Sequence, residues 1–324
     1  MLMSVLLFAV GLVLLIKGGD WFVDGATGIA KRFNLPDIVV GATVVSIGTT
    51  LPEVMVSTTG ALQGSGAMAY GNAIGSIICN TALIAAISIV CNPGPVNTKS
   101  MKTPAIFFFV SAALYCFASY ILGEFPRWMG FVMLGIFVCY TILTVRNGLK
   151  NPDAAHEEEE EGGKERTLIM ELVLLVVGAA VIAVGADLLV EHGQIIALGL
   201  GVPETVVALL FVALGTSLPE LVTTITSLRS GHASLGVGNV IGANVFNLVL
   251  VSGVAVSLAP FKVPCENFLL NTGLNMSLVF EIPVMLGVMS LMIFPALATK
   301  KLARWQGIAL LGIYAAFCVC QFIL

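Results

Sequence analysis

Apolar residues run along this chain in long blocks rather than alternating at a strand or an amphipathic-helix period. Uncharged windows recur at Met1–Ile16, Thr103–Gly123, Trp128–Val145, Ala233–Phe261 and Ile282–Thr299. Each is long enough, or nearly so, to cross a bilayer, which takes roughly 20 apolar residues. Together with the less uniform stretches between them they predict ten membrane helices, at about 2–17, 35–62, 68–91, 103–123, 128–146, 167–190, 202–228, 234–258, 281–299 and 306–323. The stretch 260–280, "PFKVPCENFLLNTGLNMSLVF", reads as a loop with a surface-lying piece. The apolar N-terminus continues into "LIKGGDWF" with no basic start and no small-residue cleavage site, so it reads as the first span rather than a removable signal.

Composition agrees with the pattern. The 324 residues are 58% hydrophobic and 10% charged, less than half of the roughly 25% charge of a soluble domain. The fold class expected is an all-α polytopic membrane protein. Charge also orients it. Lys17, Lys31, Arg32, Lys99, Lys102, Arg146, Lys150, Lys164, Arg166, Arg229, Lys300, Lys301 and Arg304 fall on one face of the ten-span arrangement, and only Arg127 and Lys262 on the other. By the positive-inside rule the first face is cytoplasmic and both termini are outside. The place expected for such a chain is a plasma membrane, the inner membrane of a cell.

An internal repeat divides the chain. "GTTLPE" at 48–53 returns as "GTSLPE" at 215–220, and "GNAIGSIICN" at 71–80 as "GNVIGANVFN" at 238–247, both displaced by 167 residues. Asp20 and Asp187, and Pro36 and Pro203, match at the same displacement. Residues 1–146 and 167–324 then form two five-helix repeats, and because five is odd the second is inverted relative to the first, as in many secondary transporters. Residues 147–166 join them as a cytoplasmic linker. Its acidic run Glu157–Glu161 reads as solvated chain; a regulatory cation site is the alternative.

The chemistry sits in the repeated motifs. An ionisable residue at mid-membrane is costly and is a functional candidate by default. Glu53 and Glu220 are two such residues at corresponding places, and no Lys or Arg lies inside a predicted span to pair with either. Thr49 lies one helical turn before Glu53, and Thr216 before Glu220; Ser46, Thr50 and Ser217 add hydroxyls nearby. Pro52 and Pro219 cannot donate to the carbonyls of Gly48 and Gly215, so each should break its helix and free an oxygen. The second motif contributes Ser76, Asn80 and Asn247, and the asparagines Asn72 and Asn239 in otherwise apolar helices. Its glycines at small-xxx-small spacing suit close helix packing. Carboxylate, hydroxyl, amide and carbonyl oxygens without sulfur or imidazole are a ligand set for hard cations, Na⁺ and Ca²⁺. The seven cysteines show no CxxC and read as small hydrophobes. His156, His192 and His232 stand apart in sequence, which disfavours a transition-metal site.

At these residues the chain resembles the sodium/calcium exchanger family, within the cation/Ca²⁺ exchanger superfamily, in its prokaryotic branch. The two motif pairs look like the family's two repeats, and the likeness covers nearly all ten spans. The resemblance implies clustered Ca²⁺ and Na⁺ sites, with Glu53 and Glu220 as shared central ligands. Thr49, Thr50, Thr216 and Ser217 would be hydroxyl and carbonyl ligands, Ser46 and Ala213 backbone-carbonyl ligands, and Ser76, Asn80 and Asn247 ligands from the third and eighth helices. Two departures stand out. Ala243 occupies a position that is often Ser, removing one hydroxyl, and Asn247 one that is Asp in many members, K⁺-dependent ones included, which argues against K⁺ co-transport.

The function expected is antiport of Na⁺ for Ca²⁺ by alternating access, without K⁺. H⁺/Ca²⁺ antiport is the alternative. A cation channel is a poorer fit, because channels usually use symmetric rings or carbonyl filters. An enzyme is a poorer fit again. The partners expected are the two ions and the lipid bilayer, with no cofactor and no nucleic acid.

Overall fold

The computed structural model describes residues 2–150, 166–199, 215, 217–264 and 275–323. Among these the chain is almost wholly helical, with π-helical turns continuing into the helices they interrupt: α1 (Leu2–Arg32), α2 (Asp37–Leu62), α3 (Gly66–Cys91), α4 (Thr98–Leu122), α5 (Arg127–Leu149), α6 (Leu168–Gly199), α7 (Leu218–Arg229), α8 (Ala233–Leu258), α9 (Ser277–Thr299) and α10 (Arg304–Ile323). Eight of them, α1–α6, α8 and α9, are long and apolar enough to cross a membrane. The acidic run Glu157–Glu161, Cys265, Ala213, Thr216 and most of the first half of the span predicted at 202–228 lie outside the described residues.

Two expectations change. The first and sixth helices do not stop at about 17 and 190 but continue to Arg32 and Gly199. The charges that seemed to end α1 are accommodated along it: Lys17 and Asp20, both well exposed, pair at 3.8 Å one turn apart, and Asp24 meets Arg166 at 3.0 Å. Nor does Pro52 break α2, which is helical throughout Ser46–Leu62. A proline removes one donor, and a membrane helix tolerates that where its neighbours are packed. Pro219 does mark a boundary, lying in the first turn of α7.

Helix α1 packs antiparallel against α6 along a seam of glycines. A Cβ on Gly11 or Gly185 would stand 2.9 Å from the other's carbonyl oxygen; lower down, a Cβ on Gly25 would stand 2.6 Å from that of Glu171. At the end of this seam Arg32 reaches Glu171 at 3.0 Å. The outer faces of the pair, with Leu6, Val13, Ile169 and Val176, are exposed apolar surface, as lipid requires. The centre is α8, buried on nearly every side from Leu235 to Val251. It lies against the π-helical turn Gly41–Val45 of α2. There Gly41 faces the Leu235 carbonyl, Gly238 faces Ile38, and a Cβ on Gly242 would stand 2.6 Å from the Ala42 carbonyl. The Tyr140 hydroxyl of α5 donates to that Ala42 oxygen at 2.8 Å.

Features recur at fixed spacings. The π-helical turns Asn80–Ala85 and Asn247–Val251 both open on an asparagine 167 residues from its counterpart. Gly64 and Gly231, also 167 apart, both have positive φ (85° and 80°). Two short antiparallel pairs tie loops together, Gly94–Pro95 with Lys301–Leu302 and Glu124–Phe125 with Phe261–Lys262. The Gly94–Pro95 strand lies 167 residues before its counterpart Phe261–Lys262 in the other pair.

Candidate functional site

Ser46, Thr49, Thr50 and Glu53 recur at three- and four-residue intervals and so share one face of α2. All four are buried, Glu53 completely. Glu220 lies in the first turn of α7 and Ser217 is its N-cap; both are buried. Ser76 and Asn80 on α3 and Asn247 on α8 are buried as well. The structure brings the two motifs together. Glu53 and Glu220 are close enough to interact electrostatically, Thr49 lies beside Glu220, and Cys79, next to Asn80 in the chain, lies beside Ser217 and Glu220.

Most of these polar groups have no partner. Among the described residues, both oxygens of Glu53 and Glu220, both amide atoms of Asn80 and Asn247, and the hydroxyls of Thr50 and Ser217 are buried without a hydrogen bond. Each such group costs about 1–3 kcal/mol, and a charged one more. The other non-exposed carboxylates show what satisfaction looks like here: Asp20 has Lys17 at 3.8 Å, Asp37 has His232 at 2.6 Å, and Glu171 has Arg32 at 3.0 Å. Among the described residues Glu53, Glu220 and Glu281 have no such partner.

The asparagines divide into two kinds. Asn72 and Asn239 bind helices together. The Asn72 amide donates to Ser57 Oγ at 2.8 Å and to the Glu53 carbonyl at 3.3 Å. Asn239 Oδ1 accepts from Thr49 at 3.2 Å and from Ser46 at 3.3 Å. The Ser46 hydroxyl also donates to the carbonyls of Asn239 (2.9 Å) and Gly41 (2.7 Å), so its hydroxyl is occupied by packing. Asn80 and Asn247 instead open π-helical turns, which are frequent at functional sites. The turn at Asn247 is closed by Ser252, whose hydroxyl donates to the Asn247 carbonyl at 3.0 Å. The sequence reading missed one group, Asn244, whose amide donates to Thr81 Oγ1 at 2.7 Å and whose Oδ1 is buried and unpartnered. Its signal was the same as for the other asparagines, a polar residue in an apolar helix.

A polytopic helical membrane protein with a buried, unpaired pair of carboxylates from two copies of one motif belongs, by class, among membrane ion-transport proteins. A family model described as sodium/calcium exchanger protein matches residues 3–146 and 170–323, and the chain belongs to that family. It is 33% identical over 308 residues to an uncharacterized membrane protein of Methanocaldococcus jannaschii, covering 95% of this chain and 94% of that one. It is 30% identical to the sodium/calcium exchanger MaX1 of Methanosarcina acetivorans, covering 98% of each. Among solved structures it is similar to the sodium-calcium exchanger NCX_Mj soaked with Na⁺ and Sr²⁺, with a TM-score of 0.79, 32% identity and 97% of each chain covered.

Proposed function

We propose that the protein exchanges Na⁺ for Ca²⁺ across the membrane by alternating access, without K⁺. The observation that carries this reading is the pair Glu53 and Glu220: completely buried, close enough to interact, and without a cationic or hydrogen-bonding partner among the described residues. Two like charges in that position need a cation. One Ca²⁺ neutralises both, and so do two or more Na⁺. Because the two ions compete for the same carboxylates, one side's Na⁺ releases the other side's Ca²⁺, and exclusive occupancy couples the fluxes. The names of MaX1 and NCX_Mj point to the same pair of ions.

In this reading Glu53 and Glu220 are central ligands. Thr49, Thr50, Thr216 and Ser217 add hydroxyl and carbonyl oxygens, Ser46 and Ala213 add backbone carbonyls, and Ser76, Asn80 and Asn247 complete the set. The occupied hydroxyl of Ser46 favours its backbone as the ligand. The architecture proposed is ten spans in two inverted repeats, 1–146 and 167–324, around a cytoplasmic linker, with both termini outside. The 167-residue spacing of the π-helical turns, of the positive-φ glycines and of one strand from each loop pairing supports it.

The test is ⁴⁵Ca²⁺ uptake into proteoliposomes driven by an outward Na⁺ gradient, compared with an outward H⁺ gradient. Uptake with Na⁺ alone, unchanged by adding K⁺, is the expected result. Uptake with the proton gradient alone would replace this reading with H⁺/Ca²⁺ antiport.

A further inference from the structure

One more membrane carboxylate is left without a cation. Glu281 lies in the π-helical turn that begins α9 (Ser277–Glu281) and is only half-exposed. It accepts from Ser277 Oγ at 2.8 Å and from the Gln321 amide at 3.3 Å. Both donors are neutral, and among the described residues no Lys, Arg or His pairs with it. Facing this carboxylate from α3 and α4 is a group of buried hydroxyls. Tyr70, Tyr115 and Ser119 are at most 2% exposed, and each hydroxyl lacks a hydrogen-bond partner among the described residues.

These groups belong together in space. The rings of Tyr70 and Tyr115 are 5.6 Å apart and both pack on Phe125, at 6.0 and 4.7 Å. Ser119 stands beside the Tyr70 hydroxyl, and both tyrosines are close enough to Glu281 to interact with its charge. Tyr120, next to Ser119, donates to the Leu278 carbonyl and so holds this end of α4 against the turn that carries Glu281. The cluster also leads inward. Tyr115 lies beside Ser252, whose hydroxyl donates to the Asn247 carbonyl at 3.0 Å. Asn247 is one of the groups proposed to surround the central ions.

We propose that Glu281, with the hydroxyls of Tyr70, Tyr115, Ser119 and Ser277, forms a second, peripheral cation site that takes one monovalent cation, Na⁺. Three buried hydroxyls without partners imply a missing guest. Water alone would satisfy the hydroxyls but would leave the carboxylate uncompensated in a membrane helix. One carboxylate among neutral oxygens balances a single positive charge, whereas Ca²⁺ sites take six to eight oxygens, commonly with several carboxylates. The absence of imidazole and thiol from the set excludes a soft metal. The site lies at the end of the membrane helices where α9 begins, which the charge bias places outside. In the exchange cycle proposed above it would hold Na⁺ one step short of the central carboxylates.

Binding of radiolabelled Na⁺ to the purified full chain tests this apart from transport. In the Glu53→Gln/Glu220→Gln double variant a saturable Na⁺ isotherm should persist. Adding Glu281→Gln should abolish it, and adding Tyr115→Phe instead should weaken it. Excess Ca²⁺ should compete poorly. The proposal is overturned if the double variant binds no Na⁺, if Glu281→Gln leaves the isotherm intact, or if Ca²⁺ displaces Na⁺ at lower concentration than Na⁺ itself binds. A size-exclusion profile matching the parent shows that each variant is folded, and Tyr115→Phe, which removes one oxygen, tests the site a second time. The outcome is distinguishable from failure of the exchange reading, which is judged by wild-type Ca²⁺ uptake.

Discussion

At the scale of single residues, the site is defined by what its charges lack. Asp20, Asp37 and Glu171 each meet a basic group within 4 Å, so a carboxylate kept for structure in this protein is a paired one. Glu53→Gln and Glu220→Gln remove the charge and keep the shape. Each should abolish Na⁺-driven Ca²⁺ uptake while the protein still inserts and purifies; normal uptake by the double variant would sink the exchange mechanism. Asn247 tests the site from the opposite direction. It is a buried neutral amide, unpartnered among the described residues, at the head of a π-helical turn. Asn247→Asp would add a third carboxylate near the other two, and charges held that close require an additional proton or cation between them. Uptake measured from about pH 6 to 9, with and without K⁺, should therefore become more dependent on pH or K⁺ than in the wild type. Superimposable profiles would place Asn247 away from the ions.

At the scale of elements, the contact between α2 and α8 positions the site. Backbone meets backbone at Gly41, Gly238 and Gly242, where any Cβ would collide with the facing chain. Gly238 faces Ile38, main chain against main chain, so Gly238→Ala cannot be relieved by a side-chain rotation and must push the helices apart. Overpacking of this kind costs about 1–3 kcal/mol. The variant should show a lowered thermal midpoint in detergent together with weaker Na⁺ binding, since the same displacement breaks the bonds from Ser46 and Thr49 to Asn239. An unchanged midpoint would mean that the helices are less closely held than described.

At the scale of the whole molecule, the long α1–α6 pair lies beside the buried centre, fastened near one end by Arg32–Glu171 and Arg166–Asp24. Residues 147–166 join the halves next to this fastening, and their run of five glutamates, Glu157–Glu161, carries much of the acidic charge of the chain. Read as solvated chain, the run contributes charge but no packing. Its deletion should leave the rate and the Ca²⁺ dependence of uptake largely intact at normal expression. Loss of activation by Ca²⁺ in the deletion would instead identify the run as a regulatory cation site.

The sequence by itself was enough for the membrane class, for the approximate place of most helices and for the two repeated motifs, because all three depend on local chemistry. An uncharged block of membrane length, a constant displacement between motifs and a carboxylate without a basic neighbour are visible in one dimension. Tertiary structure decided the rest. That α1 continues through Lys17, Asp20 and Asp24 to Arg32 depends on where those charges find water or partners. That α2 runs through Pro52 depends on the packing around it. The division of the asparagines into helix clamps, Asn72 and Asn239, and unpartnered site groups, Asn80 and Asn247, depends on which helix lies opposite. A buried polar group is satisfied or left free by neighbours far away in sequence, and only the folded chain brings those neighbours to it.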